Sequence, residues 1–363
     1  MTAALFQPLD LGPFTLQNRT VVSPMCQYSA DDGAATDWHL QHLMQLAFSG
    51  ASLVMVEATA VERLGRITHG CLGLYHDGNE AALARVMSAA RRVALPETRF
   101  GIQLAHAGRK ASVHVPWEGA KSLAPGEDPW TTLAPSALPF SDGWHVPIAA
   151  TEADCDRVVA AFVAAAKRAV RLGFDVVELH VAHGYLAAEF MSPLANRRTD
   201  EYGGPVENRA RLPLRIANAV KSVLPASVAL GARIGTSDWT DGGLTVDDAI
   251  HLATGLRDAG AHYACCSTNG AVPARTPSTP GFNVPNAARV RAATSMVVRV
   301  PGLITTPEQA DEIVASGKAD LVALARAFLD DPRWAWHAAE KLGAKMSYPP
   351  QYERVAPEVW KRQ

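Results

Sequence analysis

The sequence predicts an α/β chain folded as a (β/α)8 TIM barrel, and three observations carry that prediction. Eight apolar, strand-like runs recur along the chain, a helical pattern follows each, and no low-complexity segment or linker breaks the alternation. A strand followed by a helix returns the chain to the same edge of the sheet, so the strands are expected to be parallel. Eight such units close a barrel more readily than they extend an open sheet.

Taken in order, residues 1–19 form a prelude to the barrel. Residues 5–19 alternate apolar and polar side chains around Gly12-Pro13, the pattern of a β-hairpin. Strands are expected at 20–23, 52–57, 99–105, 175–180, 228–234, 262–267, 296–300 and 320–325. Helical patterns lie near 39–49, 78–94, 152–172, 207–222, 246–259, 285–293, 307–316 and 333–343. One start is explicit: Thr306 caps, Pro307 occupies the first helical position where its missing N–H costs nothing, and Gln309 completes a capping box.

Two stretches exceed a minimal barrel. Residues 106–151, rich in Pro, Trp and Gly, are too long for an ordinary loop and are expected to pass over the barrel mouth after the third strand. The tail, 345–363, carries Tyr348, Tyr352 and Trp360 among prolines, which suits docking, although composition alone serves a frayed terminus equally well. The expectation is one domain over 1–363.

Composition narrows the function. The chain has 363 residues, 48% hydrophobic and 19% charged, and a mean hydropathy near zero, which supports a large core and excludes wholesale disorder. Lys+Arg 34 against Asp+Glu 36 gives −2, so no bulk field favours nucleic acid or an anionic membrane. Five cysteines, at 26, 71, 155, 265 and 266, show no CxxC spacing and point to a reducing compartment rather than a disulfide framework. The first residues lack a basic segment followed by an apolar one, and the longest apolar stretch, 158–166, is too short to span a bilayer. A soluble cytoplasmic protein is expected.

The chemistry concentrates at strand ends. His180-Val181-Ala182-His183-Gly184-Tyr185-Leu186 follows the fourth strand and sets two imidazoles beside a phenol, a set able to polarise a carbonyl and protonate its neighbour. Satisfied core residues and metal ligands are equally open readings of that stretch alone. Pro24, Met25, Cys26 and Tyr28 follow the first strand and Ala58 the second. Gln103 lies near the end of the third, Arg233 near the end of the fifth, Gly302 after the seventh, and Ala325 with Arg326 at the eighth. In a barrel these all face one mouth, where active sites of this fold are built.

Individually, Cys26 serves as a small hydrophobe, Gln103 as a strand cap, and Arg233 and Arg326 as rim ion pairs. Together they suit a flavin mononucleotide (FMN). Ala325-Arg326 before a helix suits a phosphate, and the Gln103 amide matches the donor–acceptor edge of a flavin pyrimidine. Arg233 would stabilise negative charge on the reduced ring, and the Cys26 thiol would tune its potential.

The chain resembles the Old Yellow Enzyme family of FMN-dependent ene-reductases, in its thermophilic-like, xenobiotic-reductase branch. The residues that carry the resemblance are 24–28, 101–110, 180–186, the block Ser192-Pro193-Leu194-Ala195-Asn196-Arg197-Arg198-Thr199-Asp200-Glu201-Tyr202-Gly203-Gly204 with Glu207-Asn208-Arg209, then 302–305 and 351–354. It spans essentially the whole chain. The resemblance implies FMN contacts at Pro24, Met25, Cys26, Ala58, Gln103, Arg233, Gly302, Ala325 and Arg326. It implies that His180 and His183 grip the activating oxygen, Tyr185 donates the proton, and Tyr28 walls the substrate. Cys26, threonine in other branches, would modulate the flavin. It further implies a homodimer or homotetramer in which Arg354, with Tyr352 beside it, reaches the neighbouring subunit's site. Two positions depart from the pattern: Ala325 stands where a glycine usually precedes the phosphate-binding arginine, and Pro301 removes an N–H before Gly302.

The activity so implied is NAD(P)H-dependent reduction of activated C=C bonds in enones, imides and nitroalkenes. It is a ping-pong cycle in which NADPH or NADH reduces FMN, and hydride then passes to Cβ while Tyr185 protonates Cα. Nitro, nitroester or quinone reduction would use the same site. A non-catalytic flavin-binding module would lack use for Tyr185, and a metal-dependent lyase or hydrolase would need more ligands than His180 and His183, which lack HEXXH spacing. No metal is expected.

Overall fold

The computed structural model describes residues 3–360. Eight parallel strands close into one barrel: Thr20–Val22, Leu53–Ala60, Arg99–Ala105, Val176–Val181, Ala229–Gly235, Tyr263–Ser267, Val297–Val300 and Leu321–Leu324. Each pairs with the next in sequence, and the eighth pairs with the first through Val322↔Thr20 and Leu324↔Val22. The outer ring includes Asp37–Ala47, Asp77–Val93, Glu152–Arg171, Arg211–Lys221, Val246–Asp258, Val284–Thr294, Pro307–Ala315 and Trp334–Lys341. All eight strand expectations coincide with barrel strands. The second strand runs three residues further than expected because a bulge between Val56 and Ala58 restores its pairing with the third.

The helix at Pro307 begins almost as read. The Thr306 hydroxyl accepts from Gln309 N at 3.2 Å, but the Gln309 side chain takes Thr305 N rather than closing a box on the cap residue itself.

The barrel is plugged from its amino-terminal end. Leu9–Asp10 pairs antiparallel with Thr15–Leu16, and Leu11 and Leu16 pack against inward residues such as Leu53, Val176, Tyr263 and Leu321. Gly12, at φ +72°, lies so close to the His262 ring that a Cβ there would stand 2.1 Å from it. With the base closed, the carboxyl end is the open one.

Residues 106–151 run across that end as short 3-10 turns and the strand pair Leu133–Ala134 with Ile148–Ala149. Buried Arg109 staples them, donating to the carbonyls of Leu138 and Ala271 at 2.9 and 2.5 Å. The tail docks on the opposite side. Tyr348 packs on Trp336 with ring centroids 4.6 Å apart and Tyr352 on Phe48 at 5.4 Å, while Arg333 lies 3.8 Å over the Phe48 ring. Residues 361–363 of the expected tail and 1–2 of the expected prelude fall outside the described residues. Among the described residues no helix is long and apolar enough to cross a membrane.

Candidate active site at the barrel mouth

A cavity of about 750 Å³ opens at the carboxyl ends of the strands, within the size range of cofactor sites. Pro24, His183, Arg233, Gly302, Ala325 and Arg326, drawn from five strand ends, line it together. Gly302 takes φ +135°, a conformation glycine alone adopts freely, and a Cβ would stand 3.1 Å from the Asn283 amide. Ala325 has φ −106°, so the backbone there does not need glycine and the methyl is accommodated. Pro301 supplies no N–H, yet its carbonyl accepts from Asn283 Nδ2 at 3.0 Å and holds the turn.

The residues present fit FMN. Buried polar atoms without a protein partner converge on the cavity from its lining residues: Ser23 Oγ, Arg233 Nε and Asn283 Oδ1. Such atoms are costly unless a ligand or water satisfies them. Arginines stand at two places along the cavity wall and among the described residues no carboxylate lines it, which suits a phosphate at one end and an electron-rich ring at the other.

Gln103 lies within the barrel, next to that lining rather than part of it. Its Nε2 donates to Glu178 Oε1 at 2.8 Å, which fixes the amide's orientation and leaves its oxygen free to accept. Glu178 in turn accepts from Tyr263 at 2.7 Å and pairs with Arg299. All three are buried inside the barrel, where apolar layers are the rule. Gly231 makes room for this layer, since a Cβ there would come 2.1 Å from the Tyr263 ring.

The first-strand loop is anchored from below. Gln27 N donates to Glu57 Oε2 at 3.1 Å, Glu57 lies 3.3 Å from His39, and the second-strand bulge sits at this point. Met25 packs partly buried against the core. Half-buried Cys26 hydrogen-bonds the backbone of Ala58, and desolvation, with Glu57 adding to it, holds its thiol well above the usual value. Cys26 is therefore a neutral thiol, fit for hydrogen bonding rather than nucleophilic attack. Tyr28 takes φ +51° and its ring meets Trp117 edge-on at 5.8 Å.

The fourth strand end delivers the acid–base set. His180 Nδ1 accepts from Ala182 N at 3.2 Å, so its Nε2 carries the proton and donates to His183 Nδ1 at 3.1 Å. That leaves His183 Nε2–H as the outward donor, 3.0 Å from Ser267 Oγ. Burial, then Arg233, holds both imidazoles well below 6.5, so they are neutral donors. Tyr185 packs 4.8 Å from the His180 ring, and burial raises its phenol well above 10. His183 takes φ +59°, backbone strain of the kind that clusters at functional sites. Among the described residues no three His, Cys, Asp or Glu side chains gather as metal ligands.

Tyr352 and Arg354 do not join this cluster within one chain. The groove beside them is formed by Phe48 and residues 92–97, which precede the second and third strands, so they sit at the amino-terminal side of their own barrel. Sequence reasoning gave no role to Lys110, Ser267 or Glu178. Lys110 belongs to the quoted 101–110 block, Ser267 ends a strand, and Glu178 is a lone charge in an apolar run, so each carried a positional signal.

The model of the NADH:flavin oxidoreductase / NADH oxidase family matches residues 4–345. An NADPH dehydrogenase of Geobacillus sp. (strain WCH70) is 41% identical over 356 residues, covering 98% of this chain and 99% of its own. One from Listeria innocua serovar 6a is 41% identical over 353 residues, covering 97% and 98%. Among solved structures, morphinone reductase aligns with a TM-score of 0.77 at 28% identity, over 97% of this chain and 93% of that one. A 2-naphthoyl-CoA reductase complex aligns at 0.83 and 22% identity, over 93% and 52%, a likeness of fold.

Proposed function

The chain belongs to the NADH:flavin oxidoreductase / NADH oxidase family, and on that premise we propose that it is an FMN-dependent NADPH dehydrogenase that reduces activated C=C bonds. The single observation that carries the finer reading is the fourth strand end, where two neutral imidazoles and a protonated phenol converge beside a cavity suited to FMN. The curated NADPH dehydrogenases and morphinone reductase support it by likeness.

Bound in the cavity, FMN supplies the two-electron chemistry that couples NADPH oxidation to reduction of the second substrate. It would be held by Arg326, Ala325 and Gly302 at its phosphate, by Arg233 and Gln103 along its ring, and by Pro24, Met25, Cys26 and Ala58 beside the ring. The protein's own contribution is electrostatic and protic. His183 Nε2–H, with His180 behind it, donates to the oxygen of the activating carbonyl or nitro group, where negative charge develops. Losing one such preorganised donor typically costs about 2.7–4 kcal/mol. Arg233, hydrogen-bonded to Ser267 at 3.3 Å, adds positive charge on the same side. Tyr185 keeps its proton until the neighbouring carbon becomes basic and then gives it to Cα. Tyr28 closes the substrate side.

Purified protein should be yellow, bleach with NADPH in the absence of oxygen, and regain colour on addition of 2-cyclohexenone. Colourless protein that cannot be reconstituted with FMN would overturn the reading.

A further inference from the structure

Among the described residues three cationic side chains line the mouth cavity, Lys110, Arg233 and Arg326, and no carboxylate does. FMN accounts for two of them, Arg326 at the phosphate and Arg233 at the ring. Lys110 is left over.

Its surroundings offer no counter-ion. Lys110 Nζ donates to the His183 carbonyl at 2.8 Å and stands 4.5 Å over the Phe140 ring. Lysine ion pairs form elsewhere, Lys318 with Glu312 and Lys341 with Glu308, but among the described residues Lys110 has none. The carboxyl that acts on it is Glu189, which accepts from Arg109 N at 2.9 Å and is itself pushed up to about 8 by burial, so it is largely uncharged at neutral pH. Desolvation lowers the Lys110 ammonium to about 8. A cation so shielded and unpaired is unfavourable until an anion arrives.

The same lysine also borders a second, smaller chamber of about 90 Å³ beside Tyr185, walled by Tyr28, Thr68, His114 and Trp144. The His114 ring hydrogen-bonds Glu127 at 3.1 Å, and among the chamber's described lining residues Lys110 is the ammonium with no ion-pair partner. Nζ lies 5.8 Å from the Tyr185 ring, so a group held there would sit only a few bonds from the carbon that Tyr185 protonates.

We propose that this chamber is a subsite for a carboxylate on the oxidising substrate, and that the preferred substrates are α,β-unsaturated carbonyl compounds carrying a carboxylate close to the alkene. The inference rests on the C=C reductase reading and adds to it a charge on the substrate.

The test compares trans-4-oxo-2-pentenoate with its methyl ester in the FMN-loaded protein, measuring kcat/KM for each in wild type, Lys110→Met and Lys110→Arg. In wild type the anion is preferred. Lys110→Met lowers the anion-to-ester ratio by about 10-fold or more, the size of one hydrogen bond to a charged group, with the loss in KM. Lys110→Arg restores most of it. An unchanged ratio in Lys110→Met would overturn the subsite, as would a loss confined to NADPH saturation, which would give the cation to the dinucleotide. Wild-type protein that turns over neither compound nor 2-cyclohexenone would overturn the reductase reading, and the subsite with it.

Discussion

Tyr185→Phe separates the proposed proton donor from everything else in the site. The ring contacts survive: Phe keeps the packing of Tyr185 4.8 Å from His180 and 6.4 Å from His183. Only the hydroxyl is lost, so the change in stability should stay within about 1.5 kcal/mol. A positioned proton donor contributes about 10²- to 10⁴-fold, equivalent to roughly 3–5 kcal/mol of barrier. The assay is anaerobic stopped-flow at the flavin absorbance. NADPH-dependent bleaching should keep its wild-type rate, while recovery of colour with 2-cyclohexenone slows by that factor. The pH profile adds a second signature. Burial raises the Tyr185 phenol, so its proton is retained through pH 10 and its ionisation adds no alkaline limb to the wild-type profile below that. The two imidazoles are shifted the other way, so they charge, and activity changes, only well below pH 6.5. Equal slowing of bleaching and recovery in Tyr185→Phe would refute the assignment.

Other expectations follow from the same geometry. Arg299→Leu strands the Glu178 carboxylate inside the barrel and should cost about 3–5 kcal/mol in thermal or urea denaturation. The charge-balanced Glu178→Leu/Arg299→Leu pair should recover that stability, yet bind FMN more weakly because Gln103 loses the acceptor that orients it. If the pair binds FMN as tightly as wild type in a fluorescence titration, Glu178 does not act through Gln103. Arg354→Ala should raise substrate KM in an oligomer whose tails enter neighbouring sites. Unchanged KM and unchanged oligomer size by light scattering would remove that role.

The barrel was legible because its signal repeats. Each strand is a run of apolar residues flanked by polar turns, and eight of them, each followed by a helix, leave few topologies open. What escaped was set by contacts across the chain. The bulge at Glu57 is a property of pairing with the third strand, invisible in a sequence window that simply ends at a charged residue. The path of residues 106–151 depends on Arg109 reaching three carbonyls, one of them more than a hundred residues away, and no local propensity encodes that. The tail's docking was half legible: Tyr348 and Tyr352 were recognisable as packing residues, but Phe48, Arg333 and Trp336 become one patch only when the barrel closes.

The site was legible for a different reason. In a barrel, position along a strand is position in space, so a histidine or arginine just after a strand has already been placed at the mouth. That argument finds residues whose place follows from the strand they end, such as His183, Arg233 and Arg326, all of which line the mouth cavity. It does not find residues that act by what surrounds them. Lys110 looks like any surface lysine until Phe140, Tyr185 and the His183 carbonyl enclose its ammonium and no carboxylate answers it. Glu178 looks like a strand-edge charge until Tyr263, Arg299 and Gln103 converge on its two oxygens. For both, the informative quantity is the free energy of a charge out of water, which depends on every wall of its enclosure. Hence the role of a charged residue within or just beyond an apolar strand is set by its enclosure and not by the strand's sequence. In this chain Glu178 and Lys110 bracket the candidate flavin site, one beneath Gln103 and one beside Tyr185.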